Sequence, residues 1–193
     1  MGGHISHCEI ITTQSGTWWL NSKPSGIYTH MMKTIINQLE IMIDHHSKVH
    51  VIRFDLRQPT HTDSSVRITN FQRRFFRWLK REYGFKRIAF AWAREQEKAK
   101  AQHYHYALML DGHKVQCASK ILKASRDCWM TMDGSEWTPE HPYYNLSRHN
   151  DKATRDAIYR LSYLAKGRGK GYRPKRNKDY NASRLKPKIS SIA

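Results

Sequence analysis

The chain has 193 residues, with 34 lysines and arginines against 16 acidic residues and a formal net charge of +18. That length suits one domain with a real core rather than two large ones. The charge points to a polyanionic partner, nucleic acid first and an anionic membrane surface second. No stretch approaches the ~20 apolar residues of a membrane span, and no apolar signal segment opens the chain. Cys8, Cys117 and Cys128 are scattered and form no Cys-x-x-Cys, so neither a disulfide framework nor a zinc knuckle is indicated, and a reducing cytoplasm fits best.

Residues 1–28 mix Gly, Ser and Thr with Trp18 and Trp19 and are expected as an N-terminal surface arm; His4, His7 and Cys8 there lack a fourth metal partner. Met31 or Met32, Ile35, Leu39 and Met42 or Ile43 recur at helical spacing, which predicts an amphipathic helix over 30–46. Residues 49–57 predict a central strand stopped by Pro59, with Ile52, Phe54 and Leu56 on one face and Arg53, Asp55 and Arg57 on the other. Those charges are candidates for substrate or metal contact, while a structural ion pair is the simpler role for Asp55. Phe71, Phe75, Trp78 and Leu79 form the buried stripe of a helix over 69–83 that Gly84 ends, and its arginines face outwards as a solvated surface that could touch phosphates.

Residues 87–95 alternate small and aromatic side chains and predict a strand. A short polar link leads to a second strand over 102–110, so the pair forms an antiparallel hairpin. On the second strand His103, His105, Ala107 and Met109 share one face, opposite Tyr104, Tyr106, Leu108 and Leu110. Two imidazoles side by side suit chelation of a divalent ion. Glu95, which shares a face with Ala89, Ala91 and Ala93, could complete a His, His, Glu site, with room for substrate above the alanines. Glu97 has the same parity and competes as the third ligand. Residues 114–129 predict a further helix, 130–149 a long loop, and 150–166 a last helix between an Asn or Asp cap and Gly167. The whole is an α+β domain with a mainly antiparallel central sheet flanked by helices.

In the last helix Tyr159, Tyr163 and Lys166 are spaced to share one stripe. Taken alone, these are core tyrosines with a polar tip. Beside a His, His, carboxylate pair they become candidates for a nucleophile that attacks a metal-held phosphodiester, with Lys166 offsetting charge. Beyond Gly167 the sequence carries nine Lys or Arg against one Asp. Arg168, Lys170, Arg173, Lys175, Arg176 and Lys178, interleaved with Tyr172 and Tyr180, are expected to form a flexible arm for nucleic acid over 168–193.

His103-Tyr104-His105, with Glu95 before it and Tyr163-Leu164-Ala165-Lys166 after it, resembles the HUH endonuclease superfamily of rolling-circle replication initiators. Within that superfamily the chain is similar to the inovirus-type replication initiation proteins of filamentous phages and related prophages. Arg53-Phe54-Asp55-Leu56 adds to the likeness, which spans about residues 50–167. Tyr104 stands where the family commonly has an apolar residue, on the face away from the histidines. The resemblance implies an endonuclease domain over 29–167 with a Rep-like, RRM-related sheet. Mg²⁺ or Mn²⁺ would be held by His103, His105 and Glu95, the last preferred to Glu97 for its separation from His103. Tyr163 would nick single-stranded DNA or an origin hairpin through a 5′-phosphotyrosine link, in a bacterial host cytoplasm. Tyr159 remains open as a second or alternative nucleophile, Tyr163 being favoured because only it forms Tyr-x-x-Lys. The chain has no Gly-x-x-x-x-Gly-Lys-Ser/Thr loop, so a host helicase would have to unwind DNA. The competing expectations are a transposase or relaxase with the same chemistry and a non-catalytic DNA-binding regulator.

Overall fold

The two-residue alternation along three neighbouring strands decides the layering of the computed structural model, which describes residues 4–96, 101–171 and 178–188. Four short strands come first: β1 (Ile5–Ser6), β2 (Ile10–Thr13), β3 (Gly16–Trp19) and β4 (Ile27–Tyr28). Then follow α1 (Thr29–His45), β5 (Lys48–Arg57), α2 (Val66–Tyr83), β6 (Ala89–Glu95), β7 (His103–Asp111) and α3 (Ser119–Met130). The remainder is β8 (Ser135–Trp137), β9 (Tyr143–Ser147), α4 (Asp151–Leu161), a 3-10 turn (Ser162–Ala165) and β10 (Tyr180–Ala182). This is the expected α+β class. Every pairing in the main sheet is antiparallel, in the order β10-β6-β7-β5, with β8 and β9 sharing the far side of β5.

β5 is buried from Val49 to Leu56 because helices cover both faces of the sheet. Its even-numbered Ile52, Phe54 and Leu56 join Phe90, Trp92, Tyr104, Tyr106 and Leu108 under the apolar stripes of α2 and α3. Its odd-numbered Val49 and Val51 join Ala89, Ala91, Ala93, Ala107 and Met109 under α1 and α4. The alanine row therefore leaves no open space for a substrate. Met31, Ile35, Leu39 and Leu164 fill it, because small side chains on a sheet let a helix pack closely.

Three expectations about irregular segments give way to backbone pairing. Residues 4–28, expected as an arm, place Ile11, Leu20 and Ile27 in the core, and β4 runs directly into α1. Within 130–149, expected as a loop, β9 pairs with Lys48–Ile52 and β8 with Asp55–Arg57, while the Arg53 amide bonds the Pro142 carbonyl at 2.7 Å between them. In the tail expected to be flexible, β10 pairs with Ala91–Ala93, and the Gln38 side chain of α1 holds the Ser183 hydroxyl and the Leu185 amide. A strand edge beside a core must satisfy its N–H and C=O groups, and a short partner strand does this with few apolar side chains, here Leu146 in the core with Tyr144, Tyr180 and Ala182 against it. No helix of the described residues is long and apolar enough to cross a membrane.

One polar contact beneath this sheet edge makes stability depend on pH. Glu136 on β8 accepts a hydrogen bond from the buried Ser125 hydroxyl of α3, and burial pushes its carboxyl up to about 7. A carboxyl whose folded pKa exceeds its unfolded value favours folding while protonated, so stability falls as the pH rises from about 4.5 to about 7. Glu136→Gln should remove that dependence and raise stability at pH 8 by roughly 2 kcal/mol, after a discount for solvent screening. Denaturant titrations of both proteins at pH 5 and pH 8 check this, and parallel pH profiles would refute it.

Candidate metal centre and its tyrosine

The register of three strands assembles the site. β6 and β7 put Glu95 directly opposite His103 and Ala93 opposite His105, while β5 and β7 put Asp55 opposite His105 and Arg57 opposite His103. All of these odd-numbered residues share the α1 and α4 side of the sheet. One ligand atom from each of Glu95, His103 and His105 lies within 4.8 Å of the other two. Glu95 Oε2 is 3.0 Å from His105 Nε2 and 3.4 Å from His103 Nε2. Glu97 lies outside the described residues.

The environment of His105 fixes how its ring faces these atoms. Its Nδ1 sits 2.8 Å from Asp55 Oδ1, an arrangement in which Nδ1–H donates to the carboxylate and Nε2 presents its lone pair towards Glu95. His105 Nε2 is buried and has no hydrogen-bond partner of good geometry. Burial would lower the His105 pKa, but the adjoining Asp55 and Glu95 carboxylates outweigh it and raise it. Burial would likewise raise the Glu95 carboxyl, yet the adjoining His103 and His105 rings and the charge of Lys170 hold it well below the usual carboxylate range. Two converging buried acceptors can share a proton or a divalent ion. A two-histidine, one-carboxylate set with further positions open is a recurrent metal site.

Asp55 and Arg53, expected as contacts for substrate or DNA, are each only 5% exposed and face one another, with Arg53 Nη2 at 3.2 Å from Asp55 Oδ1. They support His105 from behind instead of meeting solvent. The Arg53 guanidinium also lies 4.5 Å from the centroid of the Tyr163 ring. The Lys166 ammonium lies 5.3 Å from the same centroid, and the His105 ring meets it edge-on at 5.0 Å. Tyr163 is thus half-buried beside His105.

Tyr159 is 48% exposed, and the described ring and cation contacts around the ligands do not include it. The single stripe expected for Tyr159, Tyr163 and Lys166 fails because α4 ends at Leu161 and the chain tightens into a 3-10 turn, which rotates Tyr163 relative to Tyr159. The buried Ser162 hydroxyl stitches this turn to the Tyr159 carbonyl and to the Asn21 amide. The turn between β3 and β4 holds the next residues too. Lys166 Nζ donates to the Lys23 carbonyl at 2.8 Å, and the Gly167 amide to the Gly26 carbonyl at 3.0 Å. A Cβ at 167 would come within 2.5 Å of the Ser25 carbonyl oxygen, so this close approach requires glycine.

The basic tail contributes one residue that its composition did not single out. Lys170, expected in a flexible arm, is buried with its ammonium 3.3 Å from Glu95 Oε1, so that one carboxylate oxygen meets a lysine and the other meets the histidines. Burial lowers the Lys170 pKa against the pull of Glu95. The Gly169 carbonyl accepts from the Gln96 amide at 2.9 Å and seats this turn at the end of β6. Arg57, at the mouth of the site opposite His103, is exposed, as are Arg168 and Lys178. Arg173, Lys175 and Arg176 lie outside the described residues.

The chain matches the family model of the YagK/YfjJ C-terminal domain over residues 13–180 and belongs to that family. No curated protein and no solved structure matches it. The matched span takes in β3, β4 and Lys170 as well as the central-sheet strands β5 to β9.

Because Asp55 fixes the His105 ring, Asp55→Asn should weaken Mn²⁺ binding about 10–100-fold while leaving all three ligands in place. Calorimetric titration with MnCl₂ checks this, with thermal melts to confirm folding, and unchanged affinity would remove Asp55 from the site.

Proposed function

We propose that this YagK/YfjJ-family domain is a metal-dependent endonuclease of the HUH type, which nicks and rejoins single-stranded DNA through a tyrosine-linked intermediate and so initiates rolling-circle replication of a phage or plasmid. The observation that carries the proposal is the meeting of Glu95, His103 and His105 with the Tyr163 ring, on a chain of charge +18. The replicative setting rests on the sequence resemblance, and a separate host helicase would open the duplex.

Glu95, His103 and His105 would hold Mg²⁺ or Mn²⁺, which supplies Lewis-acid polarisation of a phosphate oxygen. The protein's own groups do the rest. Asp55 keeps the His105 lone pair directed at the site, and Lys170 holds the outer oxygen of Glu95. Tyr163 Oη attacks the phosphorus in line, and its proton passes through solvent to the departing 3′-oxygen. The bond to the 3′-oxygen breaks, and that oxygen takes a proton to become a free 3′-hydroxyl. Arg53 and Lys166 stand beside the Tyr163 ring, where their charge would offset that of the attacked phosphate. A later 3′-hydroxyl attacks the phosphotyrosine in the reverse sense, restores a phosphodiester and releases Tyr163. The covalent link conserves the bond energy, so the joining step needs no nucleotide.

Incubating the protein with a labelled pool of origin-like single strands, with Mn²⁺ or with EDTA, should give a metal-dependent band of protein-linked DNA on a denaturing gel. Tyr163→Phe should abolish the band, and Tyr159→Phe should leave it. Loss only in Tyr159→Phe would transfer the nucleophile to α4. The absence of any adduct, with DNA binding retained in EDTA, would replace the enzyme by a non-catalytic DNA-binding regulator.

A further inference from the structure

The face of the sheet away from the metal ligands carries a second concentration of chemistry. α2 packs Ile68, Phe71, Phe75 and Leu79 against Phe54 and Tyr106, and turns Arg73, Arg74, Arg77, Lys80 and Arg81 to solvent. These five cations are related by three, four, seven and eight residues, so they form one stripe. Like charges at those spacings repel and work against the helix. Lys80 and Arg81 gain from the negative end of the helix dipole, but Arg73, Arg74 and Arg77 lie too far from it.

Elsewhere on the same face the fold does compensate its lysines. Lys120 of α3 pairs with Glu82, and Lys123 pairs with Asp127 at 2.6 Å. Among the described residues no carboxylate makes an ion pair with any of the five; Arg73 and Arg74 reach only the neutral Asn70 and Thr131 side chains. Among the described residues the stripe also lacks a stacking platform. Its aromatic neighbours Phe76 and Trp78 are half-buried against the core.

We infer that the Arg73, Arg74, Arg77, Lys80 and Arg81 stripe of α2 is a docking surface for the phosphate backbone of double-stranded DNA, separate from the metal centre. Residues 73 to 81 span about 12 Å of helix. The same length of duplex axis carries about seven phosphate charges, enough to engage all five side chains. A surface with charge but no exposed aromatic ring follows a backbone and does not hold unstacked bases, which favours a duplex over a single strand. The stripe is exposed on the outer side of α2, so a duplex on it would lie across the sheet from Tyr163. This surface goes beyond the nickase reading and holds whether or not Tyr163 cleaves DNA.

The test is anisotropy titration of the full chain with a labelled blunt 20-base-pair duplex in EDTA, across 50–200 mM salt. Arg73→Gln/Arg77→Gln/Arg81→Gln keeps helix formers at exposed positions and should lower the slope of log K against log salt by about 2.7, or ~0.9 for each lost contact. The charge-matched control Lys33→Gln/Lys152→Gln/Arg155→Gln, on exposed positions of α1 and α4, should keep the slope of the unmodified protein. Circular dichroism of both variants confirms that they fold. Equal losses in the two variants would reduce the effect to net charge and overturn the proposal. So would an unchanged slope in the α2 variant, or binding of anionic vesicles in place of duplex. Because the assay contains no metal, a failed nicking assay leaves this result intact, and the converse also holds.

Discussion

Everything in the candidate site depends on a buried imidazole held between two carboxylates. His105 is 3% exposed, with Asp55 on its Nδ1 side and Glu95 on its Nε2 side. In a low-dielectric interior such an arrangement is stable only when the charges balance. Arg53 answers Asp55 and Lys170 answers the outer oxygen of Glu95, while the inner oxygen faces His103 and His105 in a group that could hold a metal ion. The same arginine reaches Tyr163, so the support for the histidine and the environment of the tyrosine are one network.

The β6–β7 hairpin is the frame for that network, and its register is tightly constrained. A slip of one residue would put His103 and His105 among the aromatic residues under α2, and Tyr104 and Tyr106 among the alanines under α1. Bulk separates the two faces: aromatic rings occupy one, while alanines on the other let α1 and the 3-10 turn approach. Tyr163 reaches His105 because Leu164 and Ala165 fit over those alanines. Packing of small residues is thus the indirect reason that a tyrosine more than fifty positions away stands beside the histidines.

The chain ends serve the site as much as the core does. Lys23, Ser25 and Gly26 grip Lys166 and Gly167, and the turn after them carries Lys170 back to Glu95. A segment that looks like an arm in composition therefore fixes the exit from the tyrosine turn. The family match over 13–180 is broader than the 29–167 expected for the central domain, in keeping with that role.

The sequence by itself determined the elements that depend on local periodicity. The helices over α1 and α2, the β5, β6 and β7 strands, the hairpin and the shared face of Glu95, His103 and His105 all follow from spacings of two or of three and four. Only the tertiary structure decided where backbone pairs with backbone and where charge is buried. β8, β9 and β10 are only three to five residues long, and their partners on β5 and β6 are remote in sequence, so no local pattern announces them. The parity of Asp55 hinted at its place behind His105, but pairing with β7 was needed to bring the two together. Lys170 carried no signal, since a lysine in a Gly-rich basic tail is normally solvated, and its ammonium is buried only because Glu95 lies within its reach. The choice between Tyr159 and Tyr163 also lay beyond helical spacing, because it turns on where α4 gives way to a 3-10 turn, and packing against the alanines of the sheet sets that point.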